Sequence, residues 1–141
     1  MNAPQAIQAA IALATLPALG AEYDGGLFAG LITRKDGTHV AVILLPAKTE
    51  ECLTWDAATA WAAEAGGELP TRPIAALLYA NAKGQFTPDW YWTADTLDVD
   101  TGEQRHASCA WYCSFYDGDQ TSNRKSYEGL ARAVRCIPVT A

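Results

Sequence analysis

The thiols are the first side chains to weigh for chemistry. The chain holds four cysteines, Cys52, Cys109, Cys113 and Cys136, and two histidines, His39 and His106. No C-x-x-C pair occurs and the histidines stand far apart, so the spacing of zinc ligands is absent. On one strand face Cys109 and Cys113 would lie about 13 Å apart, too far for joint redox chemistry. No Ser-His-Asp set is evident, and His106 has only Ser108 as a neighbouring nucleophile. The thiols therefore read as free, small, apolar residues. If a pair bridges, Cys113 with Cys136 is the candidate, and connectivity stays open at this level. Asp95, Asp98, Asp100 and Glu103 lack the central glycine and fixed terminal glutamate of a calcium loop and read as a solvated turn. Asp117 and Asp119 around Gly118 read as a turn that sends the chain off a strand. The expectation is a protein with no catalytic centre, no metal and no cofactor.

A binding surface is the stronger reading. Residues 105–116 alternate, with Cys109, Trp111, Cys113 and Phe115 on one face, expected inward, and Tyr112, Ser114 and Tyr116 on the other. The polar stretch 117–129, DGDQTSNRKSYEG, follows as a long loop. Together Tyr112, Ser114, Tyr116, Asp117, Asp119, Gln120, Ser122, Asn123, Arg124, Ser126 and Tyr127 mix amphipathic aromatics with small adaptable hydrogen-bonding groups, as paratopes do. Trp90, at a loop edge, is a further contact candidate, while the other tryptophans suit a core. Arg132 and Arg135 fall on opposite faces of a regular strand, so one should be pinned inside by a carboxylate, such as Asp95 or Asp117, or by several carbonyls.

These residues need elements to position them. Residues 27–33 and 39–46 read as a hairpin about the Lys35-Asp36-Gly37 turn. Thr54 is placed to cap a helix whose stripe is Ala57, Ala58, Trp61, Ala62 and Ala65, ended by Gly66 and Gly67. Thr71 caps a second helix, with Pro73 in its first turn, that runs to about Lys83. Strands are expected at 90–93, 105–116 and 130–139, with a polar turn at 99–103 and the first and last strands close together. Two helices segregated from antiparallel strands mean an α+β domain.

The 141 residues, half of them hydrophobic, suffice for one core, and a net charge of −6 repels nucleic-acid backbones. Residues 1–20 are apolar and alanine-rich, with Ile7, Ala10, Ile11 and Ala14 at helical spacing, and read as an N-terminal helical segment ahead of a domain at 21–141. No Lys or Arg precedes Arg34, so no signal peptide is expected, and Pro4, Pro17, Gln5 and Gln8 disfavour membrane insertion. The segment either packs on its own domain or joins subunits into a homo-oligomer.

Four segments in order carry a family resemblance: LPTRPIAALLYA at 69–80, WYWTAD at 90–95, AWYCSFYDGDQ at 110–120 and ARAVR at 131–135. Over residues 23–138 the chain resembles Lcl C-terminal-type domains of bacteria and their phages, which are related to C-type-lectin-like folds and to the variable proteins of diversity-generating retroelements. The resemblance implies a C-type-lectin-like scaffold with ligand contacts near its C-terminus. It further implies a phage or prophage protein, cytoplasmic in the producing cell or associated with the virion. The EPN or QPD triplet and the WND motif of calcium-dependent sugar-binding lectins are missing, and the cysteines do not follow lectin disulfides. The expected function is recognition of a protein or carbohydrate ligand, with a host surface molecule or virion protein as partner. The alternative is a small intracellular phage protein that inhibits a host defence or regulatory complex.

Overall fold

The run HVAVILLPAK is apolar on both alternating faces, which demands cover on both sides of its strand. In the structure, a computed structural model describing residues 10–140, this is β4 (His39–Lys48), and it sits inside a sheet. Its neighbours are β3 (Gly26–Thr33) and β8 (Arg132–Thr140), both antiparallel to it. The short β2 (Glu22–Tyr23) and β1 (Ile11–Ala12) form the edges, giving the order β1-β8-β4-β3-β2. The expected hairpin is present: Gly37 takes φ +88°, and the Asp36 carboxylate accepts from the Thr38 amide and hydroxyl. Hydrogen bonding by Thr38 holds the Asp36 carboxyl below its ordinary pKa.

Helices cover the two faces. In α1 (Trp55–Glu64) the Thr54 hydroxyl accepts from the Ala57 amide, and in α2 (Arg72–Ala82) Thr71 accepts from Ile74, with Pro73 in the first turn. Both caps stand where the sequence places them. Ala58 and Ala62 of α1 pack with Ala41, Ile43 and Leu45, whereas Ile74, Ala75 and Leu78 of α2 pack with Val42 and Leu44. Alternate residues of β4 thus serve opposite layers.

A second sheet, β5 (Trp90–Thr96), β6 (Cys109–Ser114) and β7 (Gln120–Arg124), joins both layers. Trp92, Ala110 and Tyr112 enter the α1 layer, and Tyr91, Cys113 and Phe115 the α2 layer. The architecture is α+β, with helices on two antiparallel sheets apart from the parallel β1–β8 contact.

Several expectations are corrected. The first half of the expected N-terminal helix, residues 1–9, lies outside the described residues. Of its remainder, Ile11–Ala12 pairs with Val139 and Thr140 as a strand, and Leu13–Thr15 is a single 3-10 turn. Pairing with an open strand edge outcompetes a helix that Pro17 would soon stop. The last expected strand lies against the second of the hairpin, and the first is one strand removed. The polar turn at 99–103 is largely a short helix, α3 (Leu97–Thr101), closed by Gly102 in the left-handed region. Of the strand expected at 105–116, Cys109–Ser114 forms; Arg105 and His106 belong to a 3-10 turn, and 107–108 and 115–116 are turns. The long loop at 117–129 contains β7, so four strands follow the helices where three were expected. All four cysteines are free. Cys113 and Cys136 sit in different sheets, and burial raises both thiols above their ordinary pKa. Among the described residues no helix is long and apolar enough to cross a membrane.

Candidate functional site

Arg72 occupies the first position of α2, where the helix dipole disfavours a cation. Its neighbours explain the placement. The backbone N–H donates to Asp95 Oδ2 at 2.7 Å, so that carboxylate caps the helix. The side chain donates from Nε to Gln120 Oε1 at 2.9 Å and from Nη1 to Asp100 Oδ2 at 3.1 Å. The guanidinium lies 3.7 Å from the centroid of the Trp111 ring. In return Gln120 donates from Nε2 to the Arg72 carbonyl at 2.9 Å. One residue therefore ties α2 to β5, α3, β6 and β7.

Around this hub opens a cleft of about 930 Å³. One wall is the tip of the β3–β4 hairpin, with Ile32, Arg34 and Lys35; the other is the β6–β7 turn, with Gly118 and Asp119. Its floor is the first turn of α2 with Asp95 and Asp100. Apolar patches from Ile32, Pro73 and Ile74 alternate with cations and carboxylates in balanced number. A few convergent polar groups on a partly apolar concavity are the usual make-up of a small-molecule or peptide site.

The predicted contact residues divide into three sets. Tyr116, Asp117, Asp119, Arg124, Ser126 and Tyr127 are exposed, Tyr116 at 74% and Tyr127 at 53%. Trp90, Gln120, Ser122 and Asn123 are half-buried. Tyr112 and Ser114 are buried, at 7% and 6%, and this corrects the expectation that they face outward. Their face of β6 is covered by the α1 layer, and their polar tips need no water. Asn123 Nδ2 donates to the Tyr112 hydroxyl at 2.9 Å, and the Tyr116 amide donates to Ser114 Oγ at 3.2 Å. Trp90 stacks on Tyr112 with centroids 4.3 Å apart. Cys109 and Trp111, expected inside, are half-buried, since Arg72 rather than core covers Trp111.

The exposed set does not form one surface. Tyr116, Asp117 and Asp119 cluster at the β6–β7 turn beside the cleft, where Asp117 Oδ1 accepts from the Asp119 amide. Arg124 ends β7, about 13 Å along the strand from that turn, and Ser126 and Tyr127 follow it. Arg34, Lys35, Arg72, Asp95 and Asp100 escaped the sequence reading as contact residues. A basic residue between a helix cap and a first-turn proline was the available signal for Arg72; no local signal marked the rest.

The sequence matches no protein-family model and no curated protein. The likeness to Lcl C-terminal-type domains thus rests on its motifs alone. The loose acidic group has other employment: Asp95 and Asp100 hold Arg72, and Glu103 pairs with Arg105 at 3.2 Å. Asp98 is held below its ordinary carboxyl pKa by a hydrogen bond from Thr96. Among the described residues no three His, Cys, Asp or Glu side chains are grouped to hold a metal.

Proposed function

We propose that the chain is a ligand-binding module that performs no catalysis, and that its site is the cleft around Arg72 with the adjoining β6–β7 turn. The observation that carries this reading is the cleft itself. Its polar groups are held in place by Arg72, so a ligand meets donors and acceptors already oriented, at small entropic cost. Balanced charge and apolar patches suit a neutral or zwitterionic partner, a peptide segment or a sugar, over a polyanion. Exposed Tyr116, two residues from Gly118 at the rim, adds a flat amphipathic contact.

The finer fold reading is a C-type-lectin-like domain. Supporting it are the order of the quoted motifs, the pairing of the terminal strands β1 and β8, and the separate sheet that carries the turn. On that resemblance the protein is a phage or prophage product, and its ligand a host surface molecule or a virion protein.

The test is to select ligands from a glycan array and a random-peptide library with wild type, and to map binding by amide chemical shifts. Shifts concentrated at residues 32–35, 71–76 and 116–120, with affinity lowered on the order of tenfold in folded Arg72→Ala, are the expected result. Shifts centred elsewhere, or equal affinity for wild type and Arg72→Ala, would overturn the assignment.

A further inference from the structure

A second concavity, of about 740 Å³, opens between the Glu22–Leu27 hairpin, the end of β4 and Gln85. It lies toward the other end of β3, about 20 Å along the strand from the Arg72 cleft, and shares no residue with it. Arg132 forms part of its wall and is only 3% exposed. As expected for one of the two arginines of β8, carbonyls pin it: Nη1 donates to Gln85 O and Nη2 to Leu45 O, while Phe86 lies 5.1 Å from the guanidinium. The carboxylates expected as its anchor, Asp95 and Asp117, are engaged elsewhere.

Two features of this arrangement are costly without a ligand. First, among the described residues the guanidinium meets carbonyls and no anion. Among the described residues no carboxylate forms an ion pair with it, residues 1–9 contain no acidic side chain, and Asp24 on the same wall is taken by Arg135 at 3.0 Å. Buried charge in that condition is expensive, and Nε is fully buried with no hydrogen-bond partner. Second, Lys48 is the cross-strand partner of Arg132 in the β4–β8 ladder and lines the same concavity. Like charges directly opposite each other weaken a ladder unless an anion lies between them.

We propose that this concavity is a binding site for a carboxylate, which rests between the Arg132 guanidinium and the Lys48 ammonium. A guanidinium carries five N–H donors in one plane, and two bonds to carbonyls leave donors free to meet a planar carboxylate. The Glu22 carboxylate in the lining repels a dianion more than a monoanion, which selects against phosphate. Tyr23, Leu27, Leu44 and Pro46 supply apolar wall for the remainder of an organic acid. A free small acid and the C-terminal carboxylate of a peptide share this chemistry.

The experiment is thermal unfolding and calorimetric titration of the full chain at fixed pH and ionic strength. The probes are acetate, N-acetyl-dialanine, its C-terminal amide and inorganic phosphate, each against chloride. Acetate or the peptide acid should raise Tm saturably, whereas the amide and chloride should not. Lys48→Met should bind roughly fivefold more weakly, Arg132→Met should lose the response, and the distant control Arg105→Met should keep it. Tighter binding of the peptide acid than of acetate, by roughly tenfold, assigns the site to chain termini; equal binding assigns it to free acids. Preference for phosphate, absence of any saturable response, or full response in Lys48→Met overturns the proposal. Lys48 is exposed, so that last variant decides the matter even if Arg132→Met fails to fold.

Discussion

Arg72 and Arg132 show two ways of handling a guanidinium in a small domain. Arg72 is half-exposed and surrounded by an aromatic face, an amide and a carboxylate, whereas Arg132 is buried against carbonyls. Arg72→Ala should lower unfolding free energy by about 1–2 kcal/mol in urea, chiefly through lost stacking and the Gln120 bond, because its part-exposed ion pair is screened. Arg72→Lys should not restore it, since an ammonium offers neither the planar face nor the Nε donor. The thiols make a second prediction. Cys52 is exposed, while burial raises Cys113 and Cys136 and keeps them protonated near neutrality. A thiol-specific reagent followed by peptide mapping should label Cys52 on the folded protein, and Cys113 only after unfolding. Early labelling of Cys113 would contradict its place in the α2 layer.

At the scale of elements, the β6–β7 hairpin carries the loop side of the proposed site, and its rigidity follows from particular contacts. The Ser114 amide donates to the Asp119 carbonyl, and Gly118 takes φ +82° against the Tyr79 ring. A β-carbon at Gly118 would stand 2.8 Å from that ring. Gly118→Ala should therefore cost about 1–3 kcal/mol from strain and overlap, measured by chemical denaturation, and part of the cost should be relieved in the Tyr79→Ala background. At the far end, Lys125 donates its amide to Ser108 and accepts from the Trp55 amide. The polar composition of 117–129 suggested a loop because no residue in it is strongly apolar except Tyr127. Pairing with β6, from Cys113 opposite Gln120 to Cys109 opposite Arg124, is what makes part of it a strand.

Across the whole molecule, the second sheet feeds both core layers through β5 and β6, and neither of these strands can leave without opening both. Far-ultraviolet and near-ultraviolet circular dichroism should accordingly report one coincident unfolding transition; separated midpoints would show that the layers fold independently. The raised thiols contribute to a loss of stability at alkaline pH. Above the ordinary thiol pKa, about 8.5, unfolded chains release protons that folded Cys113 and Cys136 retain, so the unfolded state gains and stability falls as pH rises. Below that range the contribution is fully present. Replacing both with Ala or Val should flatten the decline, read as Tm against pH.

The α+β class, the β3–β4 hairpin and both capped helices were legible in the sequence because their causes are local. Thr54 and Thr71 bond to amides three residues on, and Gly37 satisfies its own turn. Alternation along β6 likewise showed which residues share a face. It could not show that both faces are covered, and so it placed Tyr112 and Ser114 in solvent. Burial of a strand face depends on whichever remote element packs there, here α1 with the strands of its layer, and pairing of Ile11–Ala12 depends on the open edge of β8. The same holds for the two arginine environments. Arg72 finds partners 23 to 48 positions away, and Arg132 reaches carbonyls 47 and 87 away. Contacts at such separations leave no spacing signature in the chain, so only tertiary packing brought the candidate sites together.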